Sequence, residues 1–141
     1  MGLKTPADWE AEYLPPIDVH WTLRECMEHV EHKWLGMRAY ILRSYGLSRT
    51  RNYINPVRGI RSIRICASNC ALCMVTKHRW GSPSTFGTGN CIYCPLQMFG
   101  GGNACATEWT QFLAGNIRPM LCLIKKVKKI ANDQGLTWDG L

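Results

Sequence analysis

Two pairs of cysteines with the spacing Cys-x-x-Cys stand in the middle of this 141-residue chain: Cys70 with Cys73, and Cys91 with Cys94. A tight turn lets each pair present two thiolates to one ion, at about 2.3 Å from a zinc. The 17 residues between the pairs are typical of four-cysteine zinc sites. The sequence therefore predicts a structural Zn²⁺ site, whose closed coordination shell contributes folding energy and performs no chemistry.

Two further cysteines, Cys66 and Cys105, flank these pairs and are predicted as additional or substitute ligands. The spacing from Cys66 to Cys73 also matches the cluster motif of radical S-adenosylmethionine enzymes, but those enzymes have a barrel that this chain is too short to form. Another iron–sulfur cluster remains the alternative cofactor, because thiolates bind both iron and zinc. Cys26 and Cys122 lie alone in helical patterns and are predicted as small core residues.

The cellular compartment bears on this choice between metal and disulfides. The N-terminal residues contain no apolar signal core, and no apolar run approaches the roughly 20 residues that span a bilayer. We therefore expect a cytoplasmic protein without membrane association. Clustered cysteines in a reducing compartment bind metal more often than they form disulfides. The even count of eight cysteines leaves a disulfide framework as the alternative.

Charge is unevenly distributed along the chain. Residues 32–107 hold ten Lys or Arg, no Asp or Glu, and six of the eight cysteines, whereas the preceding segment is acidic. The formal charge of the whole chain is +7. A basic surface of this kind attracts nucleic acid or an acidic protein face. The predicted partner is therefore nucleic acid, or an acidic protein or nucleoprotein surface.

The densest basic stretch, residues 38–64, interleaves arginines with tyrosines. Guanidinium groups contact phosphates in a fixed geometry, and tyrosine rings stack on unpaired bases. Most of this stretch, from Ser48 to Arg64, is predicted as a loop with a short strand at Ile60 to Ile65. The predicted contact residues are Arg38, Arg43, Arg49, Arg51, Arg58, Arg61, Arg64 and Tyr53.

No catalytic residues are predicted. The absence of Asp and Glu near the cysteines removes the usual general base of a hydrolytic mechanism. A His-x-Glu motif begins at His29, but the proline that precedes the Cys-x-x-Cys pair of zinc deaminases is missing. Glu25 with His29, and Glu28 with His32, are instead predicted as pairs on an exposed helix face. We expect a binding protein and not an enzyme.

Helical elements frame this cysteine-rich segment on both sides. Thr5-Pro6 predicts a helix start, and Pro15-Pro16 predicts its end. Thr22 and Glu25 form a capping box, after which apolar residues recur in steps of three and four. This pattern predicts one long helix that ends at Gly46 and buries its stripe in the core. The stripe consists of Leu23, Met27, Val30, Trp34, Met37 and Ile41.

The second half of the chain is predicted as a loop-rich metal region, from Cys66 to Cys105, followed by two helices. The first of these helices covers residues 107–114. The second begins at Pro119, ends near Asn132 and has an inner side made of Leu123, Ile124, Val127, Ile130 and Ala131. We therefore expect one domain, α+β or mostly α, with long amphipathic helices around a zinc-knuckle or zinc-ribbon-like module. Its parts are a helical acidic head (1–46), a basic zinc module (47–106) and C-terminal helices (107–141).

A longer pattern extends the cysteine pairs. It consists of Cys70-Ala71-Leu72-Cys73, Cys91-Ile92-Tyr93-Cys94-Pro95-Leu96, Cys105, Trp109 and Phe112. This pattern resembles the CxLC…CxxCPL…C arrangement of small cysteine-rich proteins that are common in bacteriophage genomes, over about a third of the chain. The resemblance implies a phage or mobile-element origin and the host cytoplasm as the place of action. It implies little about activity, because most of those proteins are of unknown function.

Two functions are consistent with these observations. The first is a zinc-stabilised basic protein that binds nucleic acid or a nucleoprotein complex. The alternative is a phage-encoded, anti-CRISPR-like inhibitor, whose basic face covers an acidic or nucleic-acid-binding surface of a host defence or transcription protein. Both predict salt-sensitive binding, so only binding to bare RNA or DNA distinguishes them.

Overall fold

A computed structural model describes residues 4–58, 61–66, 69–80, 94–100 and 104–140. Most of these residues are helical, and three short strands form one antiparallel sheet in the order β1-β2-β3. The fold is therefore α+β, as predicted. The helices are α1 Pro6–Tyr13, α2 Leu23–Gly36, α3 Ala39–Ser44, α4 Ala71–Trp80, α5 Pro95–Gly100, α6 Ala104–Leu113 and α7 Arg118–Asp133. The strands are β1 Leu47–Thr50, β2 Tyr53–Pro56 and β3 Ile63–Arg64.

The first two helices begin at the predicted capping residues. Thr5 accepts a hydrogen bond from the backbone of Asp8, whose carboxylate accepts from the backbone N–H of Thr5 at 2.8 Å. Thr22 and Glu25 make the same reciprocal pair at the start of α2. Each pair satisfies backbone donors that the first helical turn leaves without partners. These two predicted helix starts are confirmed.

The single long helix predicted from Leu23 to Gly46 is wrong, because the chain forms α2 and α3 instead. At the break Arg38 is extended, with φ −63° and ψ 142°. The stripe is buried from Leu23 to Met37, but Leu42 replaces Ile41 as the buried residue after the break. Gly46 ends α3 in a left-handed conformation with φ 69°, as its predicted role requires.

The basic segment is a sheet and not the predicted loop. β1 and β2 form a hairpin in which Thr50 pairs with Tyr53, and Arg51 begins the two-residue connection with φ 54°. β3 lies within the predicted strand, whose residue Ile60 is outside the described part of the chain. Buried Leu47 and Ile54 face the core, because successive strand residues point to opposite sides of the sheet.

The core lies between α2, α6 and α7. Trp34 of α2 is buried and meets Phe112 of α6 edge to face, at 4.7 Å between ring centroids. α6 ends before Gly115, and α7 begins one residue earlier than predicted, at Arg118. The predicted inner side of α7 is confirmed, except that Ile130 is only half-buried. In the described part of the chain, every helix is too short or too polar to cross a lipid bilayer.

The segment predicted as a loop-rich metal region contains α4, α5 and the start of α6. α4 carries the buried side chains of Leu72, Val75 and Thr76, so the first cysteine pair belongs to a helix of the core. The prediction for the two isolated cysteines is half right. Cys26 is fully buried, but Cys122 is exposed on α7.

Candidate metal centre and basic face

Four cysteines line one small cavity beside the core. They are Cys66, Cys70, Cys73 and Cys94, and the cavity has a volume of about 20 Å³. Cys66 follows β3, whereas Cys70 and Cys94 directly precede α4 and α5. The two predicted Cys-x-x-Cys motifs therefore meet, with both cysteines of the first and at least one of the second at the same cavity. The rest of the lining is Lys33, Trp34, Ile65, Leu96, Trp109 and Met120.

The predicted ligand set is only partly described. Cys91 lies outside the described residues, as does the side chain of Cys105 in α6. Cys66, predicted as an additional or substitute ligand, lines the cavity with the three described members of the pairs. Within the described residues, no group of three or more Cys, His, Asp or Glu side chains is already arranged to hold a metal ion. The zinc site therefore remains a prediction.

Cys70 has the most strongly perturbed thiol of the group. Hydrogen bonds from the Cys73 side chain, the ammonium charge of Lys33 and backbone N–H groups of α4 lower its pKa, against the opposing effect of burial. The start of a helix favours a thiolate for the same reason, since its backbone N–H groups point at the sulfur. Burial dominates elsewhere and raises the pKa of Cys26 to about 12. Thiolate character is thus concentrated at the cavity.

Asn69 connects the cavity to the sheet. Its amide Nδ2 donates to the carbonyl oxygen of Arg64 at 2.6 Å, and its Oδ1 accepts from the backbone N–H of Cys66 at 3.0 Å. Its own carbonyl oxygen accepts from Lys33 Nζ at 3.1 Å. Ile65, between strand β3 and Cys66, donates its backbone N–H to Asn52 at the hairpin connection. The cysteine segment and the sheet are therefore held by one hydrogen-bonded chain.

Lys33 and Asn69 were not among the predicted site residues. Asn69 carries no recognisable motif, since its role depends on a tertiary contact. Lys33 did carry a signal, because it lies on the same helical face as Cys26, Val30 and Met37, at steps of three and four. A cation inside an apolar stripe indicates a buried partner of opposite charge.

The predicted contact arginines separate into two groups. Arg51 at the hairpin tip, Arg58, Arg61 and Arg64 are exposed along the sheet, and Arg43 is exposed on α3. Tyr53 lies directly opposite Arg64 in the sheet and is 44% exposed. On its other side it pairs with Thr50. The structure thus brings an aromatic ring and a guanidinium together on the outer face of the sheet.

The other group is held by contacts within the protein. The guanidinium of Arg49 lies 4.3 Å from the ring centroid of Phe112 and donates to the backbone of Arg51 at 2.7 Å. Burial lowers the pKa of Arg49. Arg38 donates to the carbonyl oxygen of Leu35 at 2.8 Å, which secures the end of α2. These two side chains stabilise the fold.

The predicted histidine–glutamate pairs on α2 are wrong. His29 is buried, and its Nε2 lies 3.1 Å from the carbonyl oxygen of Pro15. Burial is the main cause that lowers its pKa. His32 lies 3.0 Å from the carboxylate of Glu12 in α1, instead of pairing with the glutamate one turn earlier. Both histidines serve the contact between the N-terminal segment and α2.

Comparisons of the chain with protein-family models, with curated proteins and with solved structures give no match. What the two sites can do therefore follows from their own geometry and charge.

Proposed function

We propose that this chain is a metal-stabilised basic protein that binds nucleic acid, or a nucleoprotein complex, through the outer face of its sheet. The observation that supports this proposal is the pairing of exposed Tyr53 with Arg64 on adjacent strands. A tyrosine ring offers a stacking surface for an unpaired base, and a neighbouring guanidinium can contact the phosphate.

Charge along the sheet favours the same function. Four arginines are exposed there, and in the described residues the only acidic side chain that forms an ion pair with them is Glu10, 3.8 Å from Arg61. Exposed pairs of this kind contribute little stability, so Arg61 can exchange its partner for a phosphate. The remaining polar groups of this face, Thr50, Asn55 and Ser62, hydrogen-bond with one another. The face therefore presents cations and one ring on an ordered polar platform.

Titration of fluorescently labelled single-stranded RNA and DNA with purified protein tests this proposal. We expect the triple variant Arg51→Ala/Arg58→Ala/Arg64→Ala to fold normally and to bind more weakly. If each arginine contacts one phosphate, its log–log salt dependence should be shallower by about 2, since each lost contact on a single strand removes about 0.7. The matched control removes three exposed cations far from the sheet, Arg24, Arg118 and Lys125, and should leave the slope unchanged.

The aromatic contribution is tested separately. Tyr53→Ala should lower affinity by roughly 5–150-fold at every salt concentration, because a stacked base contributes about 1–3 kcal/mol without counterion release. Tyr40→Ala, which removes the exposed tyrosine of α3, is its control. A wild-type protein that ignores bare RNA and DNA but captures one bacterial protein from nuclease-treated lysate would contradict nucleic-acid binding. It would favour the inhibitor that the phage resemblance implies.

A further inference from the structure

Lys33 is a buried cation without a carboxylate partner among the described residues. Its side chain is 1% exposed, and no salt bridge joins it to an acidic group in the described part of the chain. Its Nζ donates to the carbonyl oxygen of Asn69 and lies 5.5 Å from the ring centroid of Trp34. These contacts direct the ammonium group without neutralising it. A buried charge is costly unless an opposite charge lies close to it.

The cavity that Lys33 lines contains one kind of group that can supply this negative charge. Apart from Lys33, its lining consists of four cysteines and apolar or aromatic side chains. Several thiolates in one apolar cavity repel each other, and a bound metal ion is what stabilises such a set. The cation and the cysteines are therefore complementary parts of one site.

We propose that Cys66, Cys70, Cys73 and Cys94 together hold a single divalent ion of the zinc class, with Lys33 as the neighbouring counter-charge. Four thiolates around a divalent ion carry a net charge of −2, which Lys33 reduces to −1. Cys66 then takes the position that the Cys-x-x-Cys spacing predicts for Cys91. This inference rests on the metal-binding part of the proposed function and is independent of nucleic-acid binding.

The size of the cavity favours one ion over a multinuclear cluster. A volume of about 20 Å³ is close to that of a single water-sized occupant. A four-iron cluster with its bridging sulfides would require the core around Trp34 to expand. The four sulfurs line the cavity without forming a coordination shell, so they must turn toward its centre when the ion binds. Such a closed four-thiolate shell is that of a structural zinc site.

The site also connects metal binding to the basic face. Cys66 lies two residues after Arg64, and the Asn69 side chain bonds to the backbone of both. A metal ion that fixes Cys66 relative to Cys70 therefore fixes the end of β3. We expect loss of the ion to loosen the strand that carries Arg64.

Differential alkylation of the native, full-length protein tests the ligand set. The purified protein is treated with iodoacetamide before and after removal of metal with a chelator, and the labelled cysteines are identified by mass spectrometry. Metal analysis of the same sample should give about one zinc per chain. Cys66, Cys70, Cys73 and Cys94 should be protected before chelation and labelled after it. Cys91, Cys105 and the exposed Cys122 should be labelled in both samples.

Three results would overturn this inference. Protection of Cys91 or Cys105 in place of Cys66 would show a different ligand set. Iron in place of zinc, with visible absorption, would show a cluster. Absence of metal, with the cysteines joined in disulfides, would show that the cavity is not a metal site. Nucleic-acid binding is measured separately, so each result can be distinguished from failure of the basic face.

The role of Lys33 has its own test. Lys33→Met keeps the length of the side chain and removes its charge, and we expect metal affinity in chelator competition to fall roughly 10-fold or more. Lys128→Met, which removes a half-buried lysine paired with Glu31 at 2.7 Å, is the matched control and should leave metal affinity unchanged. Equal metal affinity in the wild type and Lys33→Met would show that Lys33 is not the counter-charge.

Discussion

The indole Nε1–H of Trp9 donates a hydrogen bond to the carbonyl oxygen of Gly36 at 2.9 Å, and this contact lies where α2 ends. Trp9 is completely buried, so its indole N–H needs a partner inside the protein. The same approach brings Tyr13 against Gly36, where an added Cβ would lie 2.3 Å from the ring. The N-terminal helix therefore packs on the one residue of α2 that has no side chain.

Gly36→Ala should destabilise the protein for this reason. The new methyl group cannot fit unless the ring of Tyr13 moves, and overpacking of this kind costs about 1–3 kcal/mol. The free energy of unfolding in urea gives the measurement. The double variant Gly36→Ala/Tyr13→Ala should show a smaller additional loss than the single changes predict, whereas strict additivity would show that the ring does not oppose the methyl group.

Trp34→Ala should cost about 3–5 kcal/mol of stability, because it empties a buried site that Phe112 and Trp109 contact. Chemical denaturation followed by circular dichroism measures this loss. Trp21→Ala, which changes a half-buried tryptophan, should cost less. A Trp34→Ala protein of unchanged stability would contradict the core position of this side chain.

Local chemistry accounts for which parts of the fold could be predicted. Capping boxes at Thr5 and Thr22 depend on residues three positions apart, so the sequence alone reveals them. The break after Gly36 depends on Trp9 and Tyr13, which are distant in sequence, and no local pattern indicates it. The hairpin around Arg51 had a weak local signal, the alternation of apolar and polar residues in each strand, which its arginines obscured.

The same distinction holds for the candidate site. The spacing of the cysteine pairs predicted that Cys73 and Cys94 would meet, which requires only two short motifs and a loop. The presence of Cys66 and Lys33 at the same cavity depends on how β3 and α2 pack. Tertiary contacts of this kind leave no spacing rule in the sequence.

The stability of the protein should depend on pH through His29. Its Nδ1 is buried and has no hydrogen-bond partner among the described groups, while its Nε2 faces the Pro15 carbonyl. Burial lowers the pKa of His29 below its ordinary value of 6.5, so the folded state favours the neutral ring. Above that pH both states are neutral and stability does not change. Below it the unfolded state takes up a proton that the folded state resists, and stability falls until the folded pKa is reached.

Urea denaturation at several pH values between 5 and 8 measures this effect. His29→Gln keeps a side-chain N–H for Pro15 and should flatten the profile below pH 6.5. Loss of about 1.4 kcal/mol is expected for each unit by which the pKa is lowered. An identical profile in the wild type and the variant would assign the pH dependence to another group.

Arg49 and Arg64 should respond oppositely to the same substitution. Arg49 lies against Phe112 on the inner side of the sheet, so Arg49→Met should lose the cation–π contact and destabilise the protein by about 1 kcal/mol. Its affinity for RNA or DNA should stay within about twofold of the wild type, since a guanidinium held against the core contacts no phosphate. Arg64→Met, on the outer face beside Tyr53, should leave stability unchanged and weaken binding in a salt-dependent way. Denaturation and binding titrations on both variants measure the two effects. If Arg49→Met weakens binding as much as Arg64→Met does, both sides of the strand contact the ligand, and the division between structural and contact arginines is wrong.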